Sequence, residues 1–172
     1  NFPDTLMIRD LYQFKPERPY SPGGEISGTI AAVGEGVDGW QVGDRVLAGI
    51  GSGGLREKVI VEAHRLFKVP QGIDLVEASA LLMTYGTMIH ALKDRGNIKP
   101  GDTVLVLGAA GGVGLASIEL AKAYGAKVVA AVSSDEKAKV AKDAGADETV
   151  VYPRAPFDKD ASKKLAGDFK AA

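Results

Sequence analysis

The sequence predicts a chain in two parts: an all-β region of short strands, then an α/β unit whose parallel sheet carries helices on both faces. Three observations predict it. Between Gly24 and Val69, short apolar runs are separated by glycine turns at close spacing, the signature of a small barrel or sandwich. From Thr103 to Tyr152, strand-like and helix-like runs alternate as β-α-β-α-β, the order that builds a parallel sheet. At the first strand-to-helix junction stands a glycine cluster, Gly108, Gly111, Gly112 and Gly114.

Taken in order, Phe2 to Tyr12 reads as a short helix, and Lys15 to Pro22 as an extended segment fixed by its prolines. Strands are expected at Ile26–Val33, at a second run entered through Gly43–Val46 and continuing to Ile50, at Glu57–Val61 and at Leu66–Val69, with turns at Gly34–Gly36 and Gly51–Gly54. Asp74 opens a helix, with Glu77 placed for a capping box; the helix runs to about Arg95, broken near Gly86, and Gly96-Asn97 stops it. Composition changes across this helix, so the domains are expected at 1–88 and 89–172.

The α/β unit begins with five residues of buried-strand character, Thr103–Leu107. Ala109-Ala110-Gly111-Gly112-Val113-Gly114 follows the G-x-G-x-x-G pattern with alanine at its first glycine. Glycines in such a turn permit a sharp reversal, let a pyrophosphate approach the backbone and let the helix pack close to the strand. The amides around Gly112 and Val113, at the start of a helix that ends at Gly125, favour an anion. A second strand ends at Val132, a second helix spans Ser134–Ala144, and a third strand covers Glu148–Tyr152. Together they make one mononucleotide-binding half of a Rossmann fold, with Gly111, Gly112, Val113 and Gly114 as its phosphate-binding residues. A last helix is expected from Asp158 to Lys170.

Composition excludes several classes. A net charge of −1 with no basic stripe gives no sign of a nucleic-acid partner. The 172 residues contain no cysteine, so disulfides and cysteine-ligated zinc are impossible within them. The two histidines, His64 and His90, are too far apart in sequence to suggest a ligand pair, and no metal site is expected. Apolar runs are too short to span a bilayer and no signal peptide is visible, so the expected location is cytoplasmic, without a membrane partner.

The motifs Phe2-Pro-Asp-Thr, Pro22-Gly-Gly-Glu-Ile-Ser-Gly28, Val33-Gly-Glu-Gly-Val37, Gly43-Asp-Arg-Val46 and Gly108-Ala-Ala-Gly-Gly-Val-Gly114 stand in one order along the chain. In that order the chain resembles the medium-chain dehydrogenases/reductases, and within them the zinc-free NADPH:quinone oxidoreductase, or zeta-crystallin-like, branch. The resemblance runs over essentially all 172 residues. It implies a partial GroES-like catalytic domain joined to the first half of a Rossmann domain, in a chain about twice this long. The absence of an initiator methionine before Asn1 fits a middle portion. It also implies a homodimer for the full-length protein. Zinc-dependent relatives carry a histidine where this chain has Gly24 and a cysteine in the segment like Asn1–Asp4, so zinc is not expected here.

NAD-specific sites place an acid at the tip of the second strand, on the ribose 2′-hydroxyl. Here Ser133 and Ser134 stand there, and Lys137 follows one turn on. In the resembling reductases, positions like Ser133, Lys137 and Tyr152 surround a 2′-phosphate, so the expected cofactor is NADPH. Arg154 can add charge, while Asp135 and Glu136 are expected to face solvent. The plainer reading makes Ser133 and Glu136 a capping box.

The resemblance also places the nicotinamide between the two domains, with Asn1, Asp4 and Tyr12 as the catalytic-side residues and Thr87 and His90 approaching from the helix. Against this stand ordinary roles: Tyr12 as a packing residue, His90 as a satisfied core histidine, Asp4 as a helix cap. Leu6 occupies a place where some quinone reductases carry tyrosine. The implied activity is hydride transfer from NADPH to a quinone, which needs orientation more than a nucleophile or metal. An NADPH-dependent reductase of enoyl thioesters or alkenals, a non-catalytic crystallin-like NADPH binder and an inactive fragment are the alternatives.

Overall fold

The structure is a computed structural model that describes residues 1–152 and 158–171. It divides into two compact units, Asn1–Met83 and Thr84–Ala172.

The first unit opens with α1 (Phe2–Ile8) and continues with β1 (Glu25–Thr29), β2 (Arg45–Gly49), β3 (Leu66–Lys68) and α2 (Leu75–Ala78). The strands form an antiparallel sheet in the order β1-β2-β3, with Glu25 opposite Gly49, Gly28 opposite Val46, and Leu47 opposite Phe67. Leu47, Val69 and Ala78 are buried, with Leu75 and Leu82 against them. Two side chains tie the sheet to the segment that follows it. The Ser27 hydroxyl donates to the Leu75 carbonyl, and Arg45 donates to the carbonyls of Pro70 and Ile73. Asp74 caps α2 by accepting the Val76 N–H at 3.2 Å.

The second unit holds α3 (Thr87–Ile89), β4 (Thr103–Leu107), α4 (Gly112–Ala123), β5 (Lys127–Val132), α5 (Asp135–Asp143), β6 (Glu148–Val151) and α6 (Lys159–Ala171). Its sheet is parallel in the order β4-β5-β6, in register from Thr103 opposite Lys127 and from Val129 opposite Glu148. β5 is central and buried from Val128 to Val132, which is why it is a continuous apolar run. α4 buries Gly114, Ser117, Ile118 and Ala121, the i, i+3, i+4, i+7 stripe of a helix packed on a sheet. Ile118, Val128 and Val132 are fully buried, each contributing roughly 1.5–3 kcal/mol.

Asp147 clamps the start of β5. Its carboxylate accepts the Lys122 ammonium at 2.8 and 2.9 Å and the Val128 N–H at 2.6 Å. These bonds, the Lys122 contact first, hold its carboxyl below the ordinary aspartate range. The folded state therefore binds this proton more weakly than the unfolded chain. The contribution is complete above the unfolded value of about 4 and is lost as pH falls through the lowered folded value. Asp147→Asn is expected to lower the melting temperature at neutral pH and to shrink the difference from wild type as pH drops. Thermal melts from about pH 6 to about pH 3 read this, and a difference constant over that range would refute it.

Several sequence expectations are corrected. The first helix ends at Ile8, not Tyr12, because Asp10 takes a left-handed φ of 58° and the Leu11 and Asp10 N–H groups close on the Leu6 and Met7 carbonyls. The strand at Ile26–Val33 stops at Thr29. Glu57–Val61 forms no strand: among the described residues no segment pairs with it, and Ile60 is fully exposed. The helix after Asp74 does not break at Gly86, which is helical at φ −59° and ψ −44°. It breaks after Ala78, and the Leu82–Gly86 and His90–Arg95 stretches are wound as π-helix. Asn97, at φ 49°, ends it. The expected boundary at 88/89 falls on this same helical stretch. Arg154 lies outside the described residues.

Candidate functional site

The glycine-rich turn joins β4 to α4. Gly108 takes the left-handed turn, φ 64°, so the sharp reversal sits one residue before Ala109, which is itself fully buried. The alanine at the pattern's first glycine is tolerated because its neighbour does that work. Gly111 is the extended N-cap of α4, and its N–H closes on the Gly108 carbonyl at 3.0 Å. A Cβ on Gly114 would sit 2.6 Å from the Gly108 oxygen and 2.7 Å from two Ala109 backbone atoms, so Gly114 is the close-packing glycine. A Cβ on Gly112 would meet only the Thr84 methyl, at 3.4 Å. Gly112, Val113 and Gly114 thus form the first turn of a twelve-residue helix whose leading amides have no intrahelical acceptor. This cradle fits a pyrophosphate.

At the far end of β5, the structure brings Ser133, Ser134, Lys137 and Tyr152 together. Ser134 is the N-cap of α5, and its hydroxyl oxygen accepts the Lys137 N–H at 3.4 Å. Bonding to that same hydroxyl holds the Glu136 carboxyl below its ordinary value. The cap is therefore Ser134, not Ser133 with Glu136, and Glu136, although exposed, turns back onto it. Ser134 is committed to the helix end. Ser133 is not: its oxygen accepts the Lys137 ammonium at 3.1 Å, and its own proton can still be donated. Tyr152 follows β6, its N–H on the Val132 carbonyl at 2.9 Å, which fixes it beside the same strand tip.

Thr87 and His90 both lie exposed on the helix that passes over Gly112 through Thr84. His90 is not a core histidine: its side chain is 66% exposed, and Nδ1 stands 3.0 Å from Asp94 Oδ2. Tyr85, one residue past Thr84, donates its hydroxyl to Glu119 of α4, which pins this helix to α4 and raises the Tyr85 pKa.

In the first unit, Asn1, Asp4 and Tyr12 line one cavity of about 200 Å³, with Phe14, Glu25 and Met83 also on its wall. Asp4 accepts the Asn1 backbone nitrogen at 2.8 Å and the Gly23 N–H at 3.1 Å. It is a cap and also a brace for the loop before β1. The Asn1 side-chain amide donates to Glu25, whose other oxygen accepts the Met83 N–H at 3.0 Å. Among the described residues no group of three or more His, Cys, Asp or Glu could hold a metal ion. Sequence reasoning missed Glu25 and Thr84. Thr84, at 7% exposure, sits on a helix with no motif of its own.

Residues 1–71 match the family model of the alcohol dehydrogenase GroES-like domain, and residues 112–171 that of the zinc-binding dehydrogenases. Quinone oxidoreductase-like protein 2 of Rattus norvegicus is 42% identical over 168 residues, 97% of this chain and 48% of that protein. A probable oxidoreductase from Mycobacterium abscessus superposes on the whole chain with a TM-score of 0.85 at 40% identity, over 54% of its own length. The chain belongs to the quinone oxidoreductase-like branch of the medium-chain dehydrogenases/reductases. Escherichia coli quinone oxidoreductase, solved in complex with NADPH, matches 98% of this chain and 51% of its own, at a TM-score of 0.83 and 33% identity. The chain spans about half the length of the relatives it matches. Its first unit is the GroES-like part and its second the Rossmann part. No helix of the described residues is long and apolar enough to cross a membrane.

Proposed function

We propose that this chain carries the NADPH-binding turn and part of the acceptor pocket of a zinc-independent reductase that passes hydride to quinones. One observation carries the reading: the tip of β5 offers the Ser133 hydroxyl and the Lys137 ammonium, 3.1 Å apart and beside Tyr152, where an NAD-specific site would present a carboxylate. A 2′-phosphate needs donors and positive charge, and both are present. The amides of Gly112 and Val113 take the pyrophosphate, with Gly111 and Gly114 shaping the turn. Thr87 and His90 serve the nicotinamide end of the cofactor site, and bound NADPH supplies the hydride.

Asn1, Asp4 and Tyr12 belong to the acceptor side. Asn1 offers a planar amide to an acceptor oxygen, Asp4 braces the wall, and the Tyr12 hydroxyl holds a proton within the same cavity. The donor set supports independence from zinc: Gly24 stands where a ligating histidine would, and the 172 residues hold no cysteine. The NADPH complex of the Escherichia coli relative supports the cofactor, and the names of the relatives support the acceptor.

The test is NADPH consumption by the complete protein with an ortho-quinone, with a short enoyl thioester, and with a metal chelator added. Turnover of the quinone, unchanged by chelator, is the expected result. Turnover of the thioester alone would move the protein to the enoyl reductases, and loss of activity with chelator would overturn the zinc-independent reading.

A further inference from the structure

We infer that Glu25 is a positioning residue that sets the orientation of the Asn1 amide in the acceptor cavity. Resting on the proposed reading of that cavity as the acceptor pocket, the inference adds a residue and a reason for its charge. Both groups line the cavity. Glu25 is the first residue of β1, paired opposite Gly49, so its backbone is held by the sheet. Its carboxylate has two partners: one oxygen takes the Asn1 side-chain N–H, the other the Met83 N–H at 3.0 Å.

A carboxylate accepts and does not donate. The face of the Asn1 amide toward Glu25 must therefore be its nitrogen; the amide oxygen turns to the Asp4 N–H at the start of α1, and the second N–H is left for a ligand. Glutamine at 25 cannot reproduce this. The two donors sit on different carboxylate oxygens, and glutamine has an oxygen at only one of those places, so in this geometry it serves Asn1 or Met83 but not both. If the oxygen keeps Met83, the glutamine NH2 faces Asn1 and the asparagine amide turns over. If it keeps Asn1, the Met83 N–H faces another donor. Either way the group presented to an acceptor oxygen changes or loosens, while the cavity keeps its volume.

Two measurements on the complete protein test this. In amide NMR spectra, the Asn1 side-chain pair, assigned by its loss in Asn1→Ala, is expected to show one downfield proton protected from exchange that disappears in Glu25→Gln. An Asn1 signal unchanged in that variant would overturn the inference, whatever the substrate. In kinetics, Glu25→Gln is expected to lower kcat/KM for the quinone about tenfold and leave NADPH affinity intact. In an Asn1→Ala background the same change is expected to cost less than about twofold. Equal losses in both backgrounds would show that Glu25 acts without Asn1 and overturn the inference. If wild type fails to reduce the quinone, the functional reading falls, and the NMR comparison alone decides the role of Glu25.

Discussion

Gly112→Val is expected to leave the protein folded and to weaken both NADPH and NADH binding by a factor of at least ~100. A phosphate must come within about 3 Å of an amide to be held, and bonds to a charged group are each worth about 1.5–3 kcal/mol, so losing one or two removes this much affinity. The added Cβ meets only the Thr84 methyl, at 3.4 Å, so the unit has room for it and the ligand does not. Two residues on, the physics reverses. Gly114→Ala puts a Cβ 2.6 Å from the Gly108 oxygen and 2.7 Å from Ala109 backbone, and β4 and α4 must separate. That costs about 3 kcal/mol, roughly a 10 °C fall in melting temperature. Melting curves and cofactor titrations on both variants separate the roles. Unchanged binding in Gly112→Val would make the turn purely structural.

Lys137→Glu is expected to weaken NADPH at least tenfold to ~100-fold while changing NADH by about threefold or less. The ammonium is exposed and anchored on Ser133 at 3.1 Å, so reversing its sign faces the 2′-phosphate with a like charge beside Glu136. NADH has no phosphate there to repel. Because Lys137 is exposed, the selectivity should narrow as salt is raised. Titrations of both nucleotides at two ionic strengths measure it. Equal losses for both would remove the assignment of this lysine to the phosphate.

The α/β unit was legible from the sequence because its signals are local. Thr103–Leu107, the glycine turn and the Ala-rich helix are consecutive, and each strand pairs with a neighbour inside the chain. The all-β part was legible only where a partner strand exists: Glu57–Val61 has strand composition but no partner among the described residues, and composition cannot show that. The helix ends were misplaced where one backbone angle decides. Asp10 in the left-handed region ends α1 early, and Gly86 stays helical although glycine suggested a break. At the candidate site, Asn1, Asp4 and Tyr12 came from resemblance, and Ser133 and Lys137 from the missing acid. Glu25 had no such signal: its bonds reach Asn1 and Met83, 24 and 58 residues away. The zinc-family histidine position next to it drew attention to Gly24 instead.

The most direct measurement is the ratio of NADPH to NADH affinity in the complete wild-type protein, by titration calorimetry at one fixed salt concentration. The donor set at the tip of β5 predicts that NADPH binds tighter by at least about tenfold, the worth of one charge-assisted contact to the 2′-phosphate. Equal affinities, or tighter binding of NADH, would contradict the account: Ser133, Lys137 and Tyr152 would then be an ordinary helix start beside a strand end.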